Sequence, residues 1–339
     1  MRYSRVVVTQ RGGPQVLQIV ENNLRPPASD EVRIRVLATP VCAPDVQARY
    51  GHTPIPPKVP FVPGYAIIGI VDAIGHAKER AGERTSSVSL GDRVGALTVS
   101  GGYAEYIYLD EKDVFPVPDT LDPAEAATLI LNYIVAYQTL HRSAKVEPDD
   151  TVLIIGASGG VGTALLQLGE LANLCMYGIA SKTKHDVITR YGATPIDYHT
   201  QDFVEVIRQA EPAGLDAVFD GMVWGYLDRG FSLLRRGGTW VQYGNPLSLS
   251  GLLRLLGNLI LLNLRPDGRS LKLYGTTTSK FGRSRYLEDW ATLFRLLEEG
   301  KIEPIIMAKY PILEAAGANQ MLESGQVVGN VVLVTPEQL

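Results

Sequence analysis

From Thr151 onward, apolar runs alternate with amphipathic ones. Thr151–Ala157, Cys175–Ser181, Thr194–Tyr198, Leu215–Gly221, Gly238–Gly244 and Leu271–Thr278 read as strands, with helical patterns at Lys184–Tyr191, Phe203–Ala210 and Gly225–Arg236 between them. This alternation predicts parallel strands joined by right-handed crossovers, a doubly wound α/β sheet whose ligand crevice lies at the carboxyl ends of the strands. Upstream the period shortens. Arg5–Val8, Glu31–Val36, Ala66–Val71, Asp92–Leu97 and Tyr103–Tyr108 read as short strands parted by Gly, Pro and Asp turns, which predicts a mainly-β module. After Thr278 come a helix at Tyr286–Leu297, a strand at Ile305–Ile312, a helix at Leu313–Leu322 and a strand at Val331–Val334. This tail is expected to rejoin the β module, with a small-molecule cleft between the two domains. Ala81–Ser89 reads as an exposed polar loop.

Leu249–Leu264 is apolar on nearly every side, yet Arg254, Gly257, Asn258 and Asn263 interrupt it and Pro266 ends it. A membrane-spanning helix needs roughly 20 apolar residues, so no integral span is expected. A buried helix or a lid over the cleft is the favoured reading, ahead of docking on a membrane surface.

Composition adds limits. The chain has 339 residues, enough for two domains, and 32 basic against 36 acidic side chains leave a net charge of −4 with no long run of one sign. That balance offers no nucleic-acid surface. Cys42 and Cys175 lie far apart and make no metal-like spacing, which points to a reducing, cytoplasmic setting. The start, Met1 to Val8, lacks the apolar core of a secretory signal and is read as mature protein.

Chemistry concentrates at the first strand of the second half. Thr151–Gly162 joins an apolar strand to a glycine-rich turn and then to the helix-like run Thr163–Leu168. Against a G-x-G-x-x-G pattern the turn is Ala157-Ser158-Gly159-Gly160-Val161-Gly162, with Ala157 in the place of the first glycine. Gly159 lets the backbone approach a pyrophosphate and Gly162 lets helix and strand pack closely. Ser158, Gly160 and Val161 complete the expected cradle, where unpaired amides and the helix dipole favour an anion. The second strand ends Ala180-Ser181-Lys182-Thr183-Lys184, without the carboxylate that would hold a free ribose hydroxyl. A hydroxyl and two ammonium groups favour a 2′-phosphate, hence NADPH over NADH. In such a sheet Gly244 and Asn245, ending the fifth strand, and Thr276 and Thr277, ending the sixth, would face the nicotinamide ribose and carboxamide.

Together with Asp45–Gly51, Val62-Pro63-Gly64, Gly69–Val71, Gly91–Val94, Gly102–Tyr106, Leu131–Tyr133, Ala136-Tyr137, Leu322–Gly325 and Gly329, these motifs make the chain resemble the medium-chain dehydrogenase/reductase superfamily over nearly its whole length. The likeness is to its zinc-independent, quinone-oxidoreductase-like branch, and the apolar run after Asn245 is similar to VAT-1-like members. The resemblance implies a GroES-like catalytic domain over 1–122, an NADPH-binding Rossmann domain over 123–278 and a return to the catalytic domain over 279–339. It also implies Lys184 and Tyr198 at the 2′-phosphate. Zinc-dependent relatives have Gly-His-Glu where this chain has Gly64-Tyr65-Ala66, and Asn132 replaces a cysteine. Cys42 alone cannot build a three-ligand site, so no metal is expected. Asn330 and Val135 depart from the family's usual lysine and threonine.

A site without a Lewis acid suits an already activated double bond. The expected reaction is hydride transfer from NADPH to a quinone or an α,β-unsaturated carbonyl, with donors stabilising the oxygen where charge develops. By resemblance Asp45, Tyr50 and Asn132 are the catalytic candidates, with His52 and Tyr133 nearby. Asp45 could equally anchor backbone, Tyr50 could equally pack, His52 reads as exposed loop, and Tyr133 could fill a junction. His76, His141, His185 and His199 read as surface or structural. An NADPH-binding scaffold with little turnover is the alternative of a different class. A homodimer joined at the Leu271–Thr278 strand edge is implied by the resemblance.

Overall fold

The computed structural model describes residues 1–75, 88–222, 225–276 and 283–339. His76, most of the Ala81–Ser89 loop, Thr277 and Thr278 lie outside the described residues. The chain divides into two compact units, one comprising Met1–His52, Pro56–Leu131 and Thr278–Leu339, the other Thr53–Ile55 and Asn132–Thr277.

The first unit opens with strands β1 (Arg2–Val8) and β2 (Leu17–Asn23), paired antiparallel. β3 (Glu31–Val41) then leads into helix α1 (Ala43–Tyr50), followed by β4 (Ala66–Ile74), β5 (Arg93–Leu97), β6 (Tyr106–Asp110), β7 (Phe115–Pro116) and α2 (Pro123–Thr128). Early in β3 the alternation sends Val32, Ile34 and Val36 inward and leaves Glu31, Arg33 and Arg35 half-buried. From Val36 to Val41 both faces are covered, and every residue is buried. α2 begins on Asp122, whose carboxylate accepts from the amides of Ala124 and Glu125, with Pro123 at the first helical position.

The second unit is the predicted doubly wound sheet. After α3 (Ile134–Tyr137) come β8 (Thr151–Ile155), α4 (Gly160–Leu171), β9 (Cys175–Ala180), α5 (His185–Arg190), β10 (Thr194–Asp197), α6 (Phe203–Ala210), β11 (Leu215–Asp220), α7 (Tyr226–Gly230), β12 (Leu234–Gln242), α8 (Leu249–Asn263) and β13 (Ser270–Leu273). The sheet runs β10-β9-β8-β11-β12-β13, all pairs parallel. Counted in chain order within the sheet this is 3-2-1-4-5-6, the arrangement of dinucleotide-binding sheets. Val152, Leu153, Ile154 and Ile155 are all buried because helices cover both faces.

The tail returns to the first unit through α9 (Arg283–Glu298), β14 (Ile306–Pro311), α10 (Ala315–Glu323) and β15 (Asn330–Val334). β15 inserts between β14 and β3, giving a sheet ordered β14-β15-β3-β4-β5-β7 with β6 also on β3. The core joins Val32, Ile34, Ile67, Val94, Tyr103, Val331 and Leu333.

Three expectations need correction. The helix pattern at Gly225–Arg236 shrinks to α7 and one 3-10 turn, because Leu234 already pairs with Leu215 as β12 begins. The sixth strand stops at Leu273, five residues short of the sequence reading. Leu249–Leu264 does form a helix but not a buried one: only Leu255 is buried in α8, while Leu249, Leu253, Ile260 and Leu261 are at least 58 % exposed. Among the described residues no helix is long and apolar enough to cross a membrane.

Candidate functional site

The glycine turn sits where the sheet reverses its winding, between β8 and β11. β8 ends at Ile155, and the chain must turn at once to start α4 five residues later, at Gly160. Gly156 makes that turn with φ +81°, a left-handed conformation that only glycine adopts cheaply. The turn glycine therefore lies one residue upstream of Ala157, and the working spacing is Gly156, Gly159, Gly162. Sequence reading missed it because it fitted the tighter G-x-G pattern; the glycine directly after an apolar strand was the available signal.

Gly162 answers a different need. A Cβ there would lie 2.2 Å from the Gly156 carbonyl oxygen and 2.6 Å from the Ala157 carbonyl carbon, so helix and turn fit only without a side chain. A Cβ on Gly159 would meet nothing nearer than the Gly156 oxygen at 3.6 Å. Gly159 is the N-cap of α4 and offers no side-chain cap, so the first amides of the helix, from Gly160 and Val161 onward, remain for an anion. Ser158 is buried beside them.

The second strand ends as read, with no acid at its tip. Ser181 and Thr183 place their hydroxyl oxygens 3.3 Å apart, and Lys184 is half-buried, its ammonium pushed below the usual lysine range by desolvation. A partly desolvated ammonium gains most from an anionic neighbour. Tyr198, half exposed, stands after β10 with its ring 4.1 Å from that of His199. The preceding acid, Asp197, is occupied: it accepts from the His199 amide and the Thr200 hydroxyl, which hold its carboxyl below the ordinary range. Gly244 donates its amide to the Asp220 carbonyl at 3.1 Å; Asn245 is exposed, Thr276 is half-buried, and Thr277 lies outside the described residues.

Asp220 is a residue the sequence reading did not single out. It ends β11, is fully buried, and accepts from the Met222 amide at 2.7 Å through one oxygen while the other has no hydrogen-bond partner. Burial raises its pKa to about 6. Only its place at the end of a predicted strand beside the glycine turn could have marked it.

The catalytic candidates each have defined neighbours. Asp45 is buried in the first turn of α1, accepting from the Gly64 amide at 2.8 Å, the Cys42 amide at 3.2 Å and the Tyr103 hydroxyl at 3.4 Å. Tyr50, at the end of the same helix, donates its phenol proton to Glu323 at 2.8 Å and stacks on His52, which is exposed. Asn132 belongs to the other unit, half-buried in a wide helical turn over Leu129–Tyr133. Tyr133 beside it is fully buried and donates to Gln167 at 3.0 Å. Asn330 spends its side-chain amide on the Ile305 carbonyl.

Two family models match, one described as "Alcohol dehydrogenase GroES-like domain" over residues 28–119 and one as "Zinc-binding dehydrogenase" over 191–333. The human "Synaptic vesicle membrane protein VAT-1 homolog" is 32 % identical over 346 residues, covering 97 % of this chain and 86 % of that protein. The chain belongs to the medium-chain dehydrogenase/reductase superfamily. Within the superfamily it falls in the quinone-oxidoreductase-like, VAT-1-like branch: the Lama guanicoe "Quinone oxidoreductase" is 29 % identical over 96 % of both chains. The Escherichia coli quinone oxidoreductase, solved "complexed with NADPH", superposes with a TM-score of 0.84 at 26 % identity, covering 98 % of this chain and 99 % of that one.

The zinc in the second family description has no matching donor set among the described residues. Among the described residues no group of three or more His, Cys, Asp or Glu could hold a metal ion. Cys42 is buried, and burial together with the Asp45 charge raises its thiol well above the usual range, away from the thiolate a zinc ion requires.

Proposed function

We propose that this protein is an NADPH-dependent reductase of quinones or α,β-unsaturated carbonyl compounds that works without zinc. The observation that carries the reading is the glycine turn at the reversal of a 3-2-1-4-5-6 sheet, followed by a second strand that ends in Ser181 and Lys184 without a carboxylate. The NADPH complex of the Escherichia coli relative supports it.

NADPH supplies a hydride. The protein's part is to bind and orient: amides of Gly160 and Val161 with Ser158 toward the pyrophosphate, which the bare Gly159 lets approach, Ser181, Lys184 and Tyr198 toward the 2′-phosphate, and Gly244, Asn245 and Thr276 toward the nicotinamide end. Asp45 holds the α1 start in place, since both of its oxygens are engaged by neighbours. The phenol of Tyr50 is committed to Glu323, so a donor role for it requires that bond to open. Asn132 is the proposed amide donor to an oxygen acquiring charge. Solvent supplies the proton to the reduced product.

The test follows NADPH oxidation with a panel of quinones and enones, in untreated and chelator-treated protein. Turnover above background, preferring NADPH to NADH and unchanged by chelator, is expected. Tight NADPH binding with no turnover on any acceptor would leave a binding protein in place of an enzyme, and stoichiometric zinc with chelator-sensitive turnover would remove the metal-free chemistry.

A further inference from the structure

A cavity of about 250 Å³ is lined wholly by residues of the β unit, with Tyr3, Arg5, Ser100, Ala104, Tyr106 and Ile107 in its wall. Its frame is rigid. Arg5 bridges Ala104, and on either side the Val6 amide donates to the Tyr103 carbonyl at 2.8 Å and the Glu105 amide to the Ser4 carbonyl at 3.0 Å.

Most charges around this cavity are paired, Arg5 and Arg35, the register partner of Tyr106, being the cations that make no ion pair among the described residues. Arg25 lies over the Tyr108 ring at 4.1 Å and is held by both oxygens of Glu31, at 2.5 and 2.8 Å. Arg33, 5.8 Å from the Tyr106 ring centre, is paired with Asp72 at 2.5 Å. Glu105 accepts from the Ser4 amide at 2.6 Å. Arg5 has no acid: among the described residues its guanidinium makes no ion pair, and its Nε is buried with no hydrogen-bond partner. Arg5 is half-buried, and a planar carboxylate is the anion whose two oxygens match the fork of a guanidinium that has no acid partner.

The rest of the wall specifies the body of the ligand. Tyr3 and Tyr106 stand edge to face, ring centres 6.0 Å apart at 82°, and line the cavity with the apolar Val62 and Ile107. The volume falls below the roughly 300 Å³ at which pockets for drug-sized ligands begin, which suits a one-ring molecule. The planar carboxylate matches the guanidinium fork and the aromatic wall matches a ring, neither of which a tetrahedral phosphate offers. We propose that this cavity binds a small aromatic carboxylate, its carboxylate on Arg5 and its ring against Tyr3 and Tyr106.

Calorimetric titration with benzoate tests this, with benzamide, cyclohexanecarboxylate and inorganic phosphate as comparisons. Benzoate is expected to bind the native protein with Kd on the order of 1 mM, and each comparison at least about tenfold more weakly. Arg5→Gln is expected to raise the benzoate Kd at least about tenfold. Ser100 is exposed at the cavity wall, so Ser100→Trp should block entry with an unchanged unfolding midpoint, which keeps the test decisive should Arg5→Gln fail to fold. No benzoate binding to the native protein at 10-fold above that Kd overturns the proposal. So does undiminished binding to Arg5→Gln or Ser100→Trp, or equal binding of any of the three comparison compounds.

Discussion

Gly162 faces the carbonyl oxygen of Gly156 so closely that a methyl group at 162 would lie 2.2 Å from it, whereas a methyl at Gly159 would have 3.6 Å to the same oxygen. The two glycines thus answer to different demands. Gly162→Ala forces backbone against backbone and is expected to cost about 1–3 kcal/mol of stability. Gly159→Ala has room in the folded chain but puts a methyl where a pyrophosphate would approach, so stability should hold while NADPH binding weakens at least about tenfold. Urea unfolding paired with NADPH titration separates them. Equal behaviour of the two variants in both measurements would contradict the division of labour.

Lys184 tests the choice of coenzyme. Reversing its charge places a carboxylate beside the proposed 2′-phosphate, a change that NADH, lacking that phosphate, would feel little. Lys184→Glu is expected to weaken NADPH by about 10²-fold, on the order of 2.7 kcal/mol, and NADH by less than about threefold. Equal weakening of both coenzymes would place the phosphate elsewhere.

The parallel half was legible because its chemistry is local: fully buried parallel strands write continuous apolar runs such as Val152–Ile155, and crossover helices write the alternation between them. Gly225–Arg236 misled because its apolar residues suit a helix period while the register with Leu215 is a tertiary fact. The exposure of α8 was illegible for a related reason, since apolar residues on every side of a helix imply burial but do not say what provides it. The partners of Asp45 and Tyr50 were illegible too, because Gly64 and Glu323 lie 19 and 273 positions away in the chain.

Asp45 should make stability depend on pH. Hydrogen bonds from Gly64, Cys42 and Tyr103 and the charge of Arg49 favour its anion, but burial outweighs them and lifts the pKa from 3.8 to about 7. Between those two values the folded state holds a proton that the unfolded state has released, so this contribution is complete below about pH 4 and is lost as pH rises to about 7. Native stability should fall over that window by at most about 1.4 kcal/mol per pH unit from this group, then level off. Asp220, raised to about 6, acts in the same direction. The informative quantity is therefore the slope removed by Asp45→Asn, measured by urea unfolding at half-unit steps from pH 4.5 to 8. An identical slope in both proteins would mean that Asp45 is ionised in the fold throughout.

Glu323 is the hinge pin of the α1 anchor. Arg49 is fully buried, donates to the Gly12 carbonyl and to one oxygen of Glu323, and lies 4.7 Å from the Tyr50 ring centre, while Tyr50 donates to the other oxygen. Removing the acid strands a buried guanidinium, so Glu323→Ala is expected to cost about 3 kcal/mol. Glu323→Gln keeps an acceptor and should cost roughly half as much. Because the penalty comes from the stranded charge, Arg49→Met combined with Glu323→Leu should recover part of the loss, as apolar replacements of buried pairs do. If Glu323→Ala unfolds within about 0.5 kcal/mol of the native protein, the pair is a solvated contact and Arg49 is stabilised by the Gly12 carbonyl alone. A double variant no better than Glu323→Ala would instead assign the stability to the geometry of the carboxylate, which fixes the end of α1 through Tyr50 as well as Arg49.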